Sequence, residues 1–299
     1  MKKLLDLISC FLFLLFAMIM AIIPFAVLYV ISDGLAFLLR RIFRYRLDVI
    51  KENIGRSNLV VNGEQQEKLV RDIYKNISDV IIESIRSFSM SRRSVLKRHR
   101  VLNPGLVQPY FESGKSIILV TGHIGNWEWG SLSAGLQTPF KVIGFYKPLK
   151  NKFIDRFLRW SRSRFGTRLM PIRKTSLTFE QQHGIPSLFL MAADQNPTKV
   201  KLSHWVRFLG RETAFLHGPE KHAMNNDYPV VFADIKRVKR GYYELYLSLI
   251  TDTPSQMSPG EITLLYAEKL EEAIHRATHS WLWTHKRWKH KRNTEKITE

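Results

Sequence analysis

His123 and Glu128 are the two residues whose types and spacing are best suited to chemistry. They stand in the run SIILVTGHIGNWEWG, Ser116 to Gly130, where an apolar strand leads straight into Gly-His-x-Gly and then a stretch compatible with a helix. In open α/β sheets ligands bind beyond the carboxyl ends of strands, which is where this histidine falls. On one continuous helix a separation of five positions would leave the two side chains on different faces. Gly122 and Gly125 let the chain turn, so that His123 sits in the strand-to-helix loop while Glu128 falls early in the helix and reaches back. A carboxylate bonded to one imidazole nitrogen fixes the tautomer and frees the other nitrogen to take a proton. No nucleophile accompanies the pair. The segment SLSAG, Ser131–Gly135, lacks the first glycine of a G-x-S-x-G elbow, and Ser133 reads as a packed helix residue. The expected chemistry is therefore general-base activation of a hydroxyl carried by the substrate. A core or capping histidine is the plainer reading of His123, and the flanking glycines and the acid argue against it.

Other charged residues gather around this run in sequence. Asp194 ends the apolar strand SLFLMAA at the same sheet edge as His123, a position that calls for a partner or a ligand. It either binds or forms an ion pair that ties Arg162 in place. Arg162 and Arg164, in SRSR, offer guanidinium forks suited to a phosphate or an oxyanion, although for Arg164 a solvated helix face explains the charge equally well. Donors for an oxyanion are the backbone amides at Gly125–Asn126 or the Arg162 guanidinium. No histidines fall at a metal-binding spacing, and no metal or other cofactor is expected. The lone cysteine, Cys10, permits neither an intramolecular disulfide nor a cysteine zinc site.

The elements that must position these groups follow from texture. From Leu7 to Ser32 no residue is charged, a run long enough to cross about 30 Å of hydrocarbon. Residues 1–34 are read as a membrane helix, which Pro24 would kink, or as a helix lying in one leaflet. The run is too long for a cleaved signal peptide and no A-x-A-like site follows it. Arg40, Arg41, Arg44, Arg46 and Lys51 outnumber the two lysines before the run, so the body should face the cytoplasm. Glu64 to Met90 carries apolar residues at helical spacing, including Leu69, Ile73, Ile77, Val80 and Ile85. Beyond Asn103-Pro104 the runs SIILVTG, KVIGFY, SLFLMAAD and YPVVFADIKR read as strands, with helical stretches between several of them. GYYELYLSLI should pair with the fourth as a hairpin on the sheet edge, and a last helix spans Glu261 to His275. The expectation is a mixed, largely parallel α/β sheet flanked by helices, in one domain over residues 35–290, with a polar tail at 291–299.

Lys and Arg total 46 against 26 for Asp and Glu, a net charge of +20 that must act on an anionic partner. An anionic membrane surface and acidic substrates rank above nucleic acid. Trp281, Trp283 and Trp288, interleaved with Lys and Arg in WLWTHKRWKHKR, favour a membrane interface, with packing on the core expected for at least one of them.

Taken together these blocks resemble the lipid A biosynthesis acyltransferases of the lauroyl and myristoyl type, which are lysophospholipid acyltransferase-like and are marked by His-x4-Asp or His-x4-Glu. The resemblance covers most of the chain: the N-terminal helix, HIGNWE, Tyr146-Lys147-Pro148 followed by NKFIDRFLRWSRSR, then MAADQN, and the C-terminal Trp/His/Arg/Lys segment. It implies a glycerolphosphate acyltransferase-like fold at the bacterial inner membrane. It further implies transfer of a fatty acyl chain from acyl carrier protein to a hydroxyl of a lipid A precursor or related lipid. His123 resembles the family's general base and Glu128 its orienting carboxylate. Arg162 matches the arginine after Tyr-x-Pro, and Asp194 the aspartate at the next strand end. Tyr-Lys-Pro stands where the family often has Tyr-Arg-Pro, and Asp194-Gln195-Asn196 where it has Asp-x-Asp, which bears on the acceptor. Competing readings are a thioesterase using the same pair with water, and a membrane-tethered basic binding protein.

Overall fold

A computed structural model describes residues 2–59, 62–182 and 184–292. Its centre is a seven-stranded sheet built from β1 (His99–Val101), β2 (Ile117–Thr121), β3 (Lys141–Tyr146), β4 (Arg168–Pro171), β5 (Ser187–Ala192), β8 (Val230–Lys239) and β9 (Tyr242–Thr251). Two further strands, β6 (Ser203–Phe208) and β7 (Arg211–Leu216), form a separate antiparallel hairpin. The order across the large sheet is β1-β9-β8-β2-β5-β3-β4, and its one antiparallel pair is β8 with β9. Every residue of β2 is buried, as expected of a parallel strand covered on both faces. The mixed, mostly parallel sheet flanked by helices is the one expected from sequence.

Two expectations about the elements change. The β8–β9 hairpin is not the edge, because the short strand β1 pairs in parallel outside β9. Three residues are too few to announce a strand by periodicity. The β6–β7 hairpin was not anticipated either, although Leu209 and Gly210, at φ +47° and +78°, supply the double left-handed turn that favours a two-residue hairpin loop.

The apolar N-terminal run divides at Pro24 into helices Lys2–Ile22 and Phe25–Phe37. Proline has no N–H to donate and its ring clashes with the preceding turn, so the break falls where the chemistry demands. Residues Lys3–Ile22 make a helix long and apolar enough to cross a membrane, with only 17% of that stretch buried. The second helix is docked on helix Gly63–Arg86, with Leu28 and Ser32 wholly buried. Its polar side chains are bonded to the body. Ser32 donates to Asp79 at 2.6 Å and Tyr29 to Glu83 at 2.9 Å, while Arg240 bridges Asp33 and Asp79. Arg237 also donates to Asp79, so the buried carboxylate is compensated by two guanidinium groups.

The segment after helix Glu261–Arg276 returns to the loop after β2, where Trp281 forms an antiparallel bridge with Ile124. Trp281, Trp283 and Trp288 are 3%, 0% and 7% exposed, which removes all three from a membrane interface and places them in the core. Their indole N–H groups donate to Asp194, to the Thr278 carbonyl and to the Thr213 hydroxyl, as buried tryptophans require. Of the polar tail, residues 293–299 lie outside the described residues.

Candidate active site

Strand register brings the site together. β2 and β5 are parallel neighbours with Thr121 opposite Ala192. His123 and Asp194 each lie two residues beyond that pair, so they emerge side by side at the carboxyl end of the sheet. Imidazole Nδ1 is 2.5 Å from Asp194 Oδ1, and the His123 amide donates to Oδ2 at 2.9 Å. Trp281 Nε1 donates to the same Oδ2 at 2.8 Å. Asp194 is thus a buried carboxylate, 2% exposed in its side chain, fully employed in fixing one ring.

The glycines do what the loop needs. Gly125 has φ +59°, and a Cβ there would stand 2.8 Å from the Ile235 carbonyl oxygen. At Gly122 a Cβ would run into Leu270 Cδ1. The C-terminal segment then straps the loop down, since Leu282 N donates to His123 O at 3.0 Å and Gly125 N to Ser280 O at 3.1 Å. The Gly125 amide is therefore engaged, which corrects its expected place among oxyanion donors.

Burial pulls the His123 imidazole down, but the charge and hydrogen bond of Asp194, with the charge of Glu128 added, more than reverse this and hold its pKa above the ordinary value. Burial likewise pushes Asp194 up. The imidazolium charge, hydrogen bonds from His123 and the Trp281 indole outweigh it, leaving the carboxyl at about 2. Both directions describe a histidine–aspartate pair that favours the charged form of each member. In the neutral ring Nδ1–H donates to the Asp194 carboxylate, so Nε2 carries the lone pair, and Gln195 Nε2 lies 3.1 Å from it as a donor. The ring stands edge-on to Trp127, with centroids 5.3 Å apart.

Glu128 occupies a different place from the one expected. It lies in the short turn Trp127–Trp129 and pairs with Arg162 of helix Lys152–Ser163, both side chains about a third exposed. Asp194, read from sequence as either a ligand group or the tie for Arg162, is the residue that holds the ring. Asn126 is fully buried. Its Oδ1 accepts from Trp129 N and its Nδ2 donates to Glu83 Oε2, so its side chain builds the loop rather than lining a cleft. Arg164 donates to the carbonyls of Ser161 and Ser87 and lies over the Phe165 ring at 4.9 Å, joining two helix ends. Ser133 is buried and bonded to His99 Nδ1 at 2.6 Å, in keeping with a packed helix residue.

Gln195 and Trp281 were missed by sequence reasoning. Gln195 follows Asp194 directly, so its position beside the ring was within reach once Asp194 was placed. Trp281 is more than eighty residues further on, and no local signal marks it. Among the described residues no group of three or more His, Cys, Asp or Glu side chains is arranged to hold a metal.

A mostly parallel sheet wrapped by helices, with a carboxylate-held histidine at adjacent strand ends and a long apolar N-terminal helix, defines a class of α/β proteins with a histidine–carboxylate site at the carboxyl edge of the sheet. Within it, the model of the bacterial lipid A biosynthesis acyltransferase family matches residues 2–290, and the chain belongs to that family of acyltransferases. It is also 23% identical over 142 residues to the lipid A biosynthesis lauroyltransferase of Escherichia coli (strain K12), an overlap of 48% of this chain. The alignment spans 46% of that protein, somewhat under half its length.

Proposed function

We propose that the protein transfers a fatty acyl chain from the thioester of acyl carrier protein to a hydroxyl of a lipid A precursor, with His123 as general base. Nε2 takes the hydroxyl proton as the oxygen attacks the thioester carbonyl carbon. The C–S bond breaks from the tetrahedral intermediate, and the departing thiolate recovers the proton from the imidazolium. No acyl-enzyme forms. The acceptor hydroxyl replaces the Gln195 amide at Nε2, and Asp194 keeps the ring in the tautomer that leaves Nε2 free. Glu128 adds negative charge near the ring and holds Arg162 beside the site, where its guanidinium can bind a phosphate or the developing oxyanion.

The observation that carries this reading is the ring itself, 17% exposed at a strand end, with one nitrogen fixed by a buried carboxylate and the other turned toward a displaceable donor. Family membership supports the acyl group and the lipid acceptor. An open cleft of about 420 Å³ lined by Arg156, Arg159, Trp160 and Arg168 supports an acidic donor protein or a phosphorylated acceptor. We further place Lys3–Ile22 across the bacterial inner membrane with residues 35–290 as one catalytic unit on the cytoplasmic side, from the length of the apolar helix and the arginines after it.

The test is acyl transfer from acyl carrier thioester to a lipid A-type precursor, followed by mass spectrometry. His123→Ala should lower the rate by about 10²–10⁴ while the chain stays folded and membrane-bound. Undiminished transfer by that variant would refute the assignment, and fast release of free acid without any acceptor would make the protein a thioesterase.

A further inference from the structure

Arg287 is 1% exposed, and none of its three guanidinium nitrogens has a hydrogen-bond partner among the described residues. A buried cation without bonds is costly, so its retention calls for a compensating charge. Its surroundings are aromatic on one side. The guanidinium lies 4.3 Å from the Phe215 centroid and 5.9 Å from that of Phe208. Phe208 packs edge-on against Trp281, the residue that donates to Asp194, with centroids 5.8 Å apart. Phe215 packs against Tyr266, whose hydroxyl donates to the Thr121 carbonyl at the end of β2. The guanidinium is thereby packed one aromatic layer from Trp281 and Tyr266, the residues that bond Asp194 and the end of β2. Burial draws Arg287 down to about 10, which leaves it charged at neutral pH, and Asp194 is the first of the groups that oppose the fall.

We propose that Arg287 is a positioning residue that acts through Asp194, its buried charge offsetting the carboxylate so that His123 is released to its neutral, proton-accepting form near physiological pH. This rests on the reading of His123 as the base. With Arg287 in place the buried cluster is neutral when the ring is neutral. Without it, the cluster is neutral only when the ring is protonated, so the imidazole would hold its proton to higher pH. The other groups facing the pair do not do this work. Glu128, from the turn after the loop, adds negative charge and is itself bonded to Arg162. Tyr266, from helix Glu261–Arg276, is neutral because burial holds its phenol far above its ordinary range. His285, in the strap, accepts from Asn196 N and is pushed down by burial, so it too is neutral. Gln195 and Trp281 carry no charge.

The experiment is a titration of the His123 imidazole by NMR in the full-length, detergent-solubilised protein, its resonance assigned by loss in His123→Gln. Arg287→Met should raise the midpoint by about one pH unit, and Arg287→Lys should leave it near the wild-type value. The acid limb of kcat/KM should move up with it, while the rate on the alkaline plateau changes little. A purely structural role would lower the plateau and leave the midpoint alone. An unchanged midpoint in folded Arg287→Met would overturn the proposal. Should that variant not fold, the wild type still decides it: the Arg287 Nε–H resonance should follow the His123 titration, and an unresponsive resonance refutes the coupling. Failure of the base assignment reads out separately, as full transfer by His123→Ala.

Discussion

At the scale of single residues, two acids flank His123 and the geometry gives them unequal work. Asp194 is buried and spends both oxygens on the His123 unit and Trp281, whereas Glu128 is partly exposed and bonded to Arg162. Asp194→Asn should therefore cost on the order of 10³–10⁴ in rate, as expected when a histidine loses the carboxylate that sets its tautomer. Glu128→Gln should cost less and should be felt more in KM for a phosphorylated acceptor. The reverse ranking in steady-state assays would return the orienting role to Glu128. A pH dependence follows as well. Because Asp194 holds the imidazole above the ordinary 6.5, activity should rise with pH through a midpoint above that value. Stability runs the other way across the same window. A raised histidine contributes stability that is complete below the unfolded pKa and is lost as pH climbs through the folded one. The difference in melting temperature between wild type and Asp194→Asn should accordingly narrow as pH rises through the His123 titration.

At the scale of elements, the loop after β2 is held by close approach. Gly125→Ala would combine a left-handed backbone with a Cβ 2.8 Å from the Ile235 carbonyl, so the loop must shift. The cost should be about 1–3 kcal/mol from backbone strain alone. Displacing the ring by even 1 Å should lower activity roughly 10²-fold, measured with matched circular dichroism to show the fold survives. Helix Gly63–Arg86 is the other decisive element. Its Asp79 joins helix Phe25–Phe37 to β8 and the turn that follows it, and its Glu83 joins Tyr29 to Tyr243 and Asn126. Asp79→Ala would strand a largely buried Arg237 and should destabilise the fold by roughly 3–5 kcal/mol in denaturant titration. Long elements were legible because their patterns repeat many times: Glu64 to Met90 was expected as a helix and Gly63–Arg86 is one, and KVIGFY matches β3 residue for residue. Strand β1 was illegible because three residues carry no periodicity, and its pairing with β9 is a contact across more than a hundred residues.

For the whole molecule, the apolar helix and the +20 charge act together. In the proposed reading the helix fixes the chain in the bilayer, and the basic surface draws anionic partners to it. Washing membranes at high salt should leave the protein in the pellet, while detergent should release it, because salt screens charge and does not dissolve a buried helix. Release by salt alone would reduce the helix to a surface contact. The tryptophans of the C-terminal segment belong to the interior instead, Ser280 and Leu282 bond the loop that carries His123, and Lys286, Lys289, Lys291 and Arg292 stay exposed.

Sequence alone determined the chemistry available to this protein: a histidine set in glycines after a buried strand, an acid within reach, arginines downstream and an apolar leader. Those are local properties, written in residue type and spacing. Tertiary structure alone decided which acid holds the ring. The choice depends on β2 and β5 being neighbours in register, and Asp194 stands some seventy residues from His123 in the chain. The same holds for Trp281 and Arg287, whose places are set by where the returning chain meets the loop after β2. Strand order and chain return are products of global packing, and no short window of sequence encodes them.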